Sequence, residues 1–191
     1  MSLWGDIFAA AFNGKPFWPD RGKSSRYQHH LASLDIRTCQ ECRNLHGKIY
    51  GIDDWVIQKP PLHVFCRCRL AEMETIRAGT ATMDGTDGAD WWMQYRGVLP
   101  EWYVSKEEAT IAGWDSRKGN LAQVLPGRMI GGEPFYNRKG KLPQAIGRVW
   151  YEADINYTGG YRNDSRLLYS NDGLLFVTYD HYEMFYEIVG G

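Results

Sequence analysis

All four cysteines of this 191-residue chain lie in its first 70 residues, and their spacing is not random. Cys39-x2-Cys42 is followed by His63-x2-Cys66-x-Cys68, and His46 stands four residues after Cys42. Two close pairs of soft ligands joined by a loop are what a tetrahedral zinc ion requires. Each short pair forms one edge of the tetrahedron, and the loop carries the second edge across. A small block with few large aliphatic residues gains much of its stability from such a staple. Cys39, Cys42 and Cys66 are the firmest ligands, and His63 and Cys68 compete for the fourth place. Side chains one residue apart in an extended segment point to opposite faces, which favours His63. Four ligands with no catalytic acid beside them indicate a closed, structural site. The competing readings are four buried thiols, or two disulfides in an oxidising compartment.

The rest of the chain divides around this cluster. Residues 76–88 are rich in Gly, Thr and Asp and read as a linker. The organisation expected is a Cys/His module over 1–75, the linker over 76–88 and a second domain over 89–191. Residues 1–88 carry 11 Lys/Arg and 10 Asp/Glu, and residues 89–191 carry 11 and 13, so neither block is basic enough to announce a polyanionic partner. No apolar run is long enough to span a bilayer. The N-terminus has no basic segment and Asp6 interrupts its apolar stretch, so it does not read as a secretory signal.

Asp35-Ile-Arg-Thr-Cys-Gln-Glu-Cys-Arg-Asn-Leu-His-Gly47 and Pro60-Pro-Leu-His-Val-Phe-Cys-Arg-Cys-Arg69 together resemble the C-terminal motif of phage minor head (head-morphogenesis) proteins. The resemblance covers about a fifth of the chain. It implies a capsid-associated module, or in bacteria a delivery or packaging segment ahead of a toxin domain.

In the second block, Trp91, Trp92 and Tyr95 have near-helical spacing up to Gly97. Ser105 and Glu108 form a capping box that should start a helix over Lys106–Ala112. Residues 121–125 allow one more short helix before Pro126-Gly127. The period then changes to two. Residues 148–155, 166–170, 174–178 and 182–188 read as strands with short connections, which should pair antiparallel. Helices first and a meander afterwards is an α+β order. Glu152 falls within a strand between Trp150 and Asp154, where a carboxylate must be paired or used. His181 is the one histidine after residue 63, and Lys106, Arg138, Arg162 and Arg166 stand near element boundaries. One carboxylate, one imidazole and several cations suit metal-free phosphodiester transesterification. Taken alone, such residues are more often a structural histidine and an ion-pair network.

A second resemblance decides between these. Gly113-Trp-Asp-Ser-Arg-Lys-Gly-Asn-Leu-Ala122, Pro126-Gly-Arg-Met-Ile-Gly-Gly-Glu-Pro-Phe135, Asn137-Arg-Lys-Gly-Lys-Leu-Pro143, Trp150-Tyr-Glu-Ala-Asp-Ile-Asn-Tyr-Thr158, Arg162-Asn-Asp-Ser-Arg166 and Tyr179-Asp-His-Tyr182 resemble the barnase family of bacterial ribonucleases, from about residue 87 to 188 without a gap. This implies the microbial ribonuclease fold: helices packed on an antiparallel sheet of about five strands. It implies cleavage of single-stranded RNA through a 2′,3′-cyclic phosphate, with no cofactor for catalysis. By the same resemblance Glu152 matches the general base and His181 the general acid. Lys106, Arg162 and Arg166 match the phosphate-contacting cations, and Asp154 the buried carboxylate that organises the two arginines. Tyr182 matches a cleft aromatic, and Phe135, Tyr136, Asn137 and Arg138 match the base-recognition loop. A base that must be ionised and an acid that must be protonated imply a bell-shaped rate in pH.

One position departs from the family. Where the recognition loop has a glutamate, this chain has Lys139. A carboxylate accepts the hydrogens that distinguish guanine, and an ammonium cannot, so guanine preference should weaken. Glu133 is the nearest acidic substitute. The reading as a whole is a toxin-type endoribonuclease behind a zinc-stapled, phage-head-like module. It would be made in a bacterial cytoplasm for delivery into a target cell, and its partner would be an acidic, barstar-like inhibitor or immunity protein. The rivals are a capsid or packaging component with a vestigial nuclease fold, and a metal-dependent nuclease using the Cys/His cluster.

Overall fold

A computed structural model describes residues 20–22 and 24–191. The stretch weighed as a secretory signal lies outside the described residues. The N-terminal block consists of β1 (Tyr27–Leu31), α1 (Gln40–Leu45), β2 (Ile49–Gly51) and β3 (Arg69–Glu72). Its strands form an antiparallel sheet of order β2-β1-β3. None of these strands was legible in the sequence. Each is three to five residues long, too short to show a period of two.

A second sheet runs β4-β10-β9-β8-β7-β6-β5. It comprises β4 (Thr75–Arg77), β5 (Tyr103–Val104), β6 (Met129–Phe135), β7 (Trp150–Asp154), β8 (Arg166–Ser170), β9 (Leu175–Thr178) and β10 (Tyr186–Val189). Its five central strands, β6 to β10, are the expected antiparallel meander. The total differs from the expected five, because β4 and β5 add at the two edges, each parallel to its neighbour. Three helices precede the meander: α2 (Ala89–Arg96), α3 (Lys106–Ile111) and α4 (Leu121–Val124). The capping box forms as read. The Ser105 hydroxyl accepts from Glu108 N at 3.1 Å, and the Glu108 carboxylate accepts from Ser105 N at 2.7 Å.

Alternation along the meander sorts the core into two halves. Ala153, Leu167, Leu175 and Val177 face one way, towards Ala89 and Met93 of α2. Trp150, Leu168 and Phe176 face the other way, where they meet Leu142, Phe185 and, from the N-terminal block, Ile49, Met73 and Tyr27. The N-terminal block therefore shares a hydrophobic core with the meander.

Residues 76–88, expected as a linker, do not run loose. Ile76 and Ala81 are fully buried, and Ala78 and Thr82 nearly so. The reason is the wholly buried Asp90 at the start of α2. Its carboxylate accepts from Gly79 N at 2.7 Å, Ala81 N at 2.9 Å and the Thr82 hydroxyl at 2.9 Å. The small residues that looked like a linker are those that let the backbone reach this anion. The block is tied to β10 as well: buried Glu187 accepts from the Ser25 hydroxyl at 2.8 Å and from the Arg26 guanidinium at 2.9 and 3.2 Å. No helix among the described residues is long and apolar enough to cross a membrane.

Two stability predictions follow from this packing. Asp90→Ala strands three donors away from water and should cost about 3 kcal/mol, seen as a lower urea midpoint. An unchanged midpoint would contradict this account of residues 76–88. His29, on β1 with its ring edge-on to Tyr186, has its imidazole pushed down to about 4 by burial. The unfolded chain then takes up a proton that the folded one refuses. Stability should fall by about 2 kcal/mol between pH 7 and pH 5. The His29→Gln protein should show a visibly flatter dependence over the same interval.

Candidate functional site

Strand β7 places Trp150, Glu152 and Asp154 on one face. Its partners across β8 on that face are Ser170, Leu168 and Arg166. Trp150 and Leu168 continue the apolar core, while Glu152, Asp154 and Arg166 form a charged end to the same surface.

Glu152 is 8% exposed. Its carboxylate lies between two side chains: the Lys106 ammonium, 3.4 Å from Oε1, and the Tyr182 hydroxyl, which donates to Oε2 at 2.7 Å. Lys106 is aimed by its helix and by a strand irregularity. The register of β6 shifts between Gly131 and Glu133, at Gly132, whose φ of 85° only glycine adopts easily. Beyond the bulge, the Glu133 carboxylate accepts from Lys106 N at 2.6 Å, capping α3 where Lys106 begins it. Glu133 is thus committed to the helix and is not free to act as the acidic substitute expected for position 139. Burial, and then the bond to Glu152, push the Tyr182 phenol well above its ordinary value, so it remains a donor.

Asp154 is 1% exposed and joins both arginines. Arg162 grips it with two bonds, Nε to Oδ2 at 2.7 Å and Nη2 to Oδ1 at 2.6 Å. Arg166 Nε lies 3.1 Å from Oδ1, and its Nη1 donates to the Asn163 and Ser165 carbonyls at 2.6 and 2.7 Å. Burial lowers the Arg162 pKa, but the Asp154 bonds outweigh it and the guanidinium stays charged. The bidentate pair also fixes the guanidinium plane.

His181 was expected at the start of the last strand. It lies instead in the β9–β10 loop, exposed, with β10 beginning five residues later at Tyr186. His181 and Tyr182 have φ of 54° and 68°. Two consecutive bulky residues in the left-handed region carry a cost of about 1–3 kcal/mol each. Asp180 and Thr178 hold them there. Asp180 Oδ1 accepts from the Thr178 hydroxyl at 2.9 Å and from Glu183 N and Met184 N at 3.1 and 3.0 Å. Thr178 Oγ1 in turn accepts from Tyr182 N at 3.1 Å. Neither Asp180 nor Thr178 was singled out in the sequence, although Thr-x-Asp before a turn is a local signal for this kind of bonding.

Beside this loop opens a pocket of about 270 Å³, with Phe135, Tyr136, Arg138 and Lys139 on one wall and His181, Tyr182 and Phe185 on another. Phe135 and Tyr182 are stacked, with centroids 5.2 Å apart. Arg138 lies over the exposed Tyr136 ring. Asn137 lines the pocket but its amide is already occupied, donating to Leu142 O at 2.9 Å and accepting from Leu142 N at 3.1 Å. Lys139 donates to Glu183 Oε1 at 2.8 Å, and nearly buried Lys141 donates to Glu183 Oε2 at 2.9 Å. Burial raises the Glu183 pKa, but the two lysines outweigh it and hold the carboxyl down to about 2. Pro134, Lys141 and Phe185 line the pocket unforeseen, and Glu183, in the 181–185 loop, binds Lys139 and Lys141. Residues 42 positions apart meet only through the fold.

The cysteine cluster lies apart, in the N-terminal block. Cys39 caps α1, and Cys42 is one turn on. His63 Nε2 is 3.2 Å from both of their sulfurs, and Cys42 Sγ is 3.8 Å from Cys66 Sγ. Cys68 joins Cys42 and Cys66, so the five donors fall into two overlapping triads that share Cys42. His63 Nδ1 lies 2.8 Å from Val64 O, which turns Nε2 towards the sulfurs. His46 is not part of the cluster; its Nδ1 accepts from Ala32 N at 3.1 Å.

Two stretches of the chain match known proteins. Residues 19–71 match the model of the phage Mu protein F-like family. Three relatives share 51% identity with this chain over 107 residues, or 56% of its length. One is a ribonuclease of Heyndrickxia coagulans, matched over 95% of its length. The other two are ribonucleases of Bacillus intermedius and Bacillus pumilus, each matched over 64% of its length. Residues 93–189, half of the chain, match the ribonuclease family model, and with nearly the whole H. coagulans enzyme aligned to the same half, this chain belongs to the ribonuclease family.

Proposed function

We propose that the C-terminal half of this endoribonuclease cleaves single-stranded RNA by attack of the ribose 2′-hydroxyl, without a catalytic metal. Glu152 takes the 2′-hydroxyl proton as O2′ bonds to phosphorus. The bond from phosphorus to O5′ breaks, and His181 delivers a proton to the departing oxygen, leaving a 2′,3′-cyclic phosphate. Lys106, Arg162 and Arg166 hold the phosphoryl charge. The observation that carries this reading is the buried Glu152 carboxylate between an ammonium and a phenol, on the same sheet face as a pre-paired arginine cluster. The requirement for a 2′-hydroxyl excludes DNA as substrate.

The pocket of Phe135, Tyr136, Asn137, Arg138, Lys139 and Tyr182 is proposed to take the base. Lys139 is bound to Glu183 and cannot accept a hydrogen bond, so discrimination in favour of guanine is weakened. Among the described residues, no cluster of possible metal ligands lies at Glu152. Such an enzyme endangers the cell that makes it, which supports a toxin role with an acidic inhibitor covering the same cations.

For the Cys/His cluster we propose structural zinc held by Cys39, Cys42 and Cys66 with His63 or Cys68. The 3.8 Å between the Cys42 and Cys66 sulfurs is the edge of a tetrahedron with zinc–sulfur bonds of about 2.3 Å. The ion would supply folding energy and no chemistry.

At saturating RNA in EDTA, the wild type should cleave, and Glu152→Ala and His181→Ala should each lower kcat about 10³-fold. No cleavage by the wild type, or equal cleavage by all three proteins, overturns the mechanism. Elemental analysis should find about one zinc per chain, lost together with several degrees of melting temperature in Cys42→Ser. A metal-free wild type melting at the same temperature would contradict the zinc assignment.

A further inference from the structure

The N-terminal block does more than precede the enzyme: part of it packs against the two loops that form the proposed base pocket. The chain leaving α1 passes through His46, Gly47 and Lys48 into β2 and runs along the outside of the loop that carries Lys141. Ile49 N donates to Lys141 O at 2.8 Å, a main-chain bond from β2 to the residue that holds Glu183. Gly47 presses on the opposite loop. A Cβ at this position would stand 2.4 Å from Glu183 O, and 3.4 Å from both Lys141 Nζ and Met184 Sδ. Gly47 also has φ of 76°, which a side chain resists. The residue thus lets the backbone of the N-terminal block approach both pocket-forming loops, at Lys141 and at Glu183.

Behind this contact the packing is continuous. Ile49, Met73 and Tyr27 share one core with Leu142, which clamps Asn137, and with Phe185, which lines the pocket. Lys141, 5% exposed, bonds through its ammonium both the Glu183 carboxylate and the Glu183 carbonyl, so the two loops close on one cation. The backbone of Lys141 is fixed in turn by Ile49.

We propose that Gly47 and Ile49 are positioning residues of the ribonuclease. Through Lys141 and Glu183 they hold the 135–141 loop against the 181–185 loop, so the pocket is shaped by both blocks of the chain. This rests on the pocket being where RNA is held. Neither residue touches the reacting atoms, and Tyr182 beside His181 is pinned separately, its N–H held by Thr178, which donates to Asp180, so their effect falls mainly on substrate binding.

The test uses the full chain. Gly47→Ala drives a methyl group into Glu183 O and should raise KM for a short single-stranded RNA about tenfold, with kcat within about twofold of wild type. RNA affinity of the Glu152→Ala protein, with and without Gly47→Ala, is read in parallel by fluorescence anisotropy and should fall by the same factor. That readout needs no turnover, so it separates failure of this inference from failure of the cleavage mechanism. Ile76→Val, in the other half of the core, is the control for general loosening and should leave KM unchanged. If Gly47→Ala does not fold, as judged by circular dichroism, Ile49→Ala carries the test, since it only removes packing. Unchanged KM and affinity would overturn the proposal. So would a fall in kcat at constant KM, or a KM rise in Ile76→Val equal to that in Gly47→Ala.

Discussion

The structure depends first on the alternation of one strand. In β7, Ala153 enters the core beneath α2, while Trp150, Glu152 and Asp154 share the other face. A slip of one residue would put both carboxylates under the helix and Ala153 at the site. The register is held from both sides, by five pairings with β8 and by the pairing with β6 that brings Glu133 opposite Glu152. The requirement to bury Trp150 is therefore also what aims Glu152.

Two buried carboxylates on that face are tolerable because each meets cations. Asp154 is matched by two guanidiniums, and Glu152 by one ammonium and one phenol. Removing water from such a cluster costs several kcal/mol per ion, which pairing offsets only when the geometry is good. Its use is to fix geometry. The guanidinium of Arg162 is locked in plane and that of Arg166 is tied to two carbonyls. The groups proposed to meet phosphate are thus ordered before substrate arrives, which lowers the cost of binding and of reaction.

What the sequence revealed and what it hid follow from the range of the interactions. The Ser105–Glu108 box acts across three residues, and α3 begins where it says. The meander strands show their period within four or five residues. β6 was left unassigned because Gly131, Gly132 and Pro134 interrupt any strand pattern, whereas the bulge at Gly132 is what frees Glu133 to cap α3. The last strand was started at residue 182, next to His181, because the apolar pattern of Tyr186–Val189 was extended too far back. The loop there is set by the Asp180 side chain, which a strand reading does not consult. Residues 76–88 looked loose because flexibility was inferred from composition, and the buried anion that binds them lies beyond the segment. Lys141 and Glu183 could not be paired from sequence at all.

Charge offers a last step. The chain carries a formal net charge of −1, which by itself opposes attraction to RNA. Around the site the balance is reversed. Lys106, Arg138, Lys139, Lys141, Arg162 and Arg166 stand against Glu133, Glu152, Asp154, Asp180 and Glu183, six cations to five carboxylates. Beyond a Debye length of about 8 Å, the distant acids are screened and this local excess is what an approaching phosphate meets. Glu152, Asp154 and Glu183 are each already held by at least one cation, so the excess does not spread the loops apart by self-repulsion. Pairing thus lets an acidic chain keep a cationic cleft that is also rigid. The same pairing carries rigidity outward, since Lys141, which holds Glu183, is itself held by the backbone of β2.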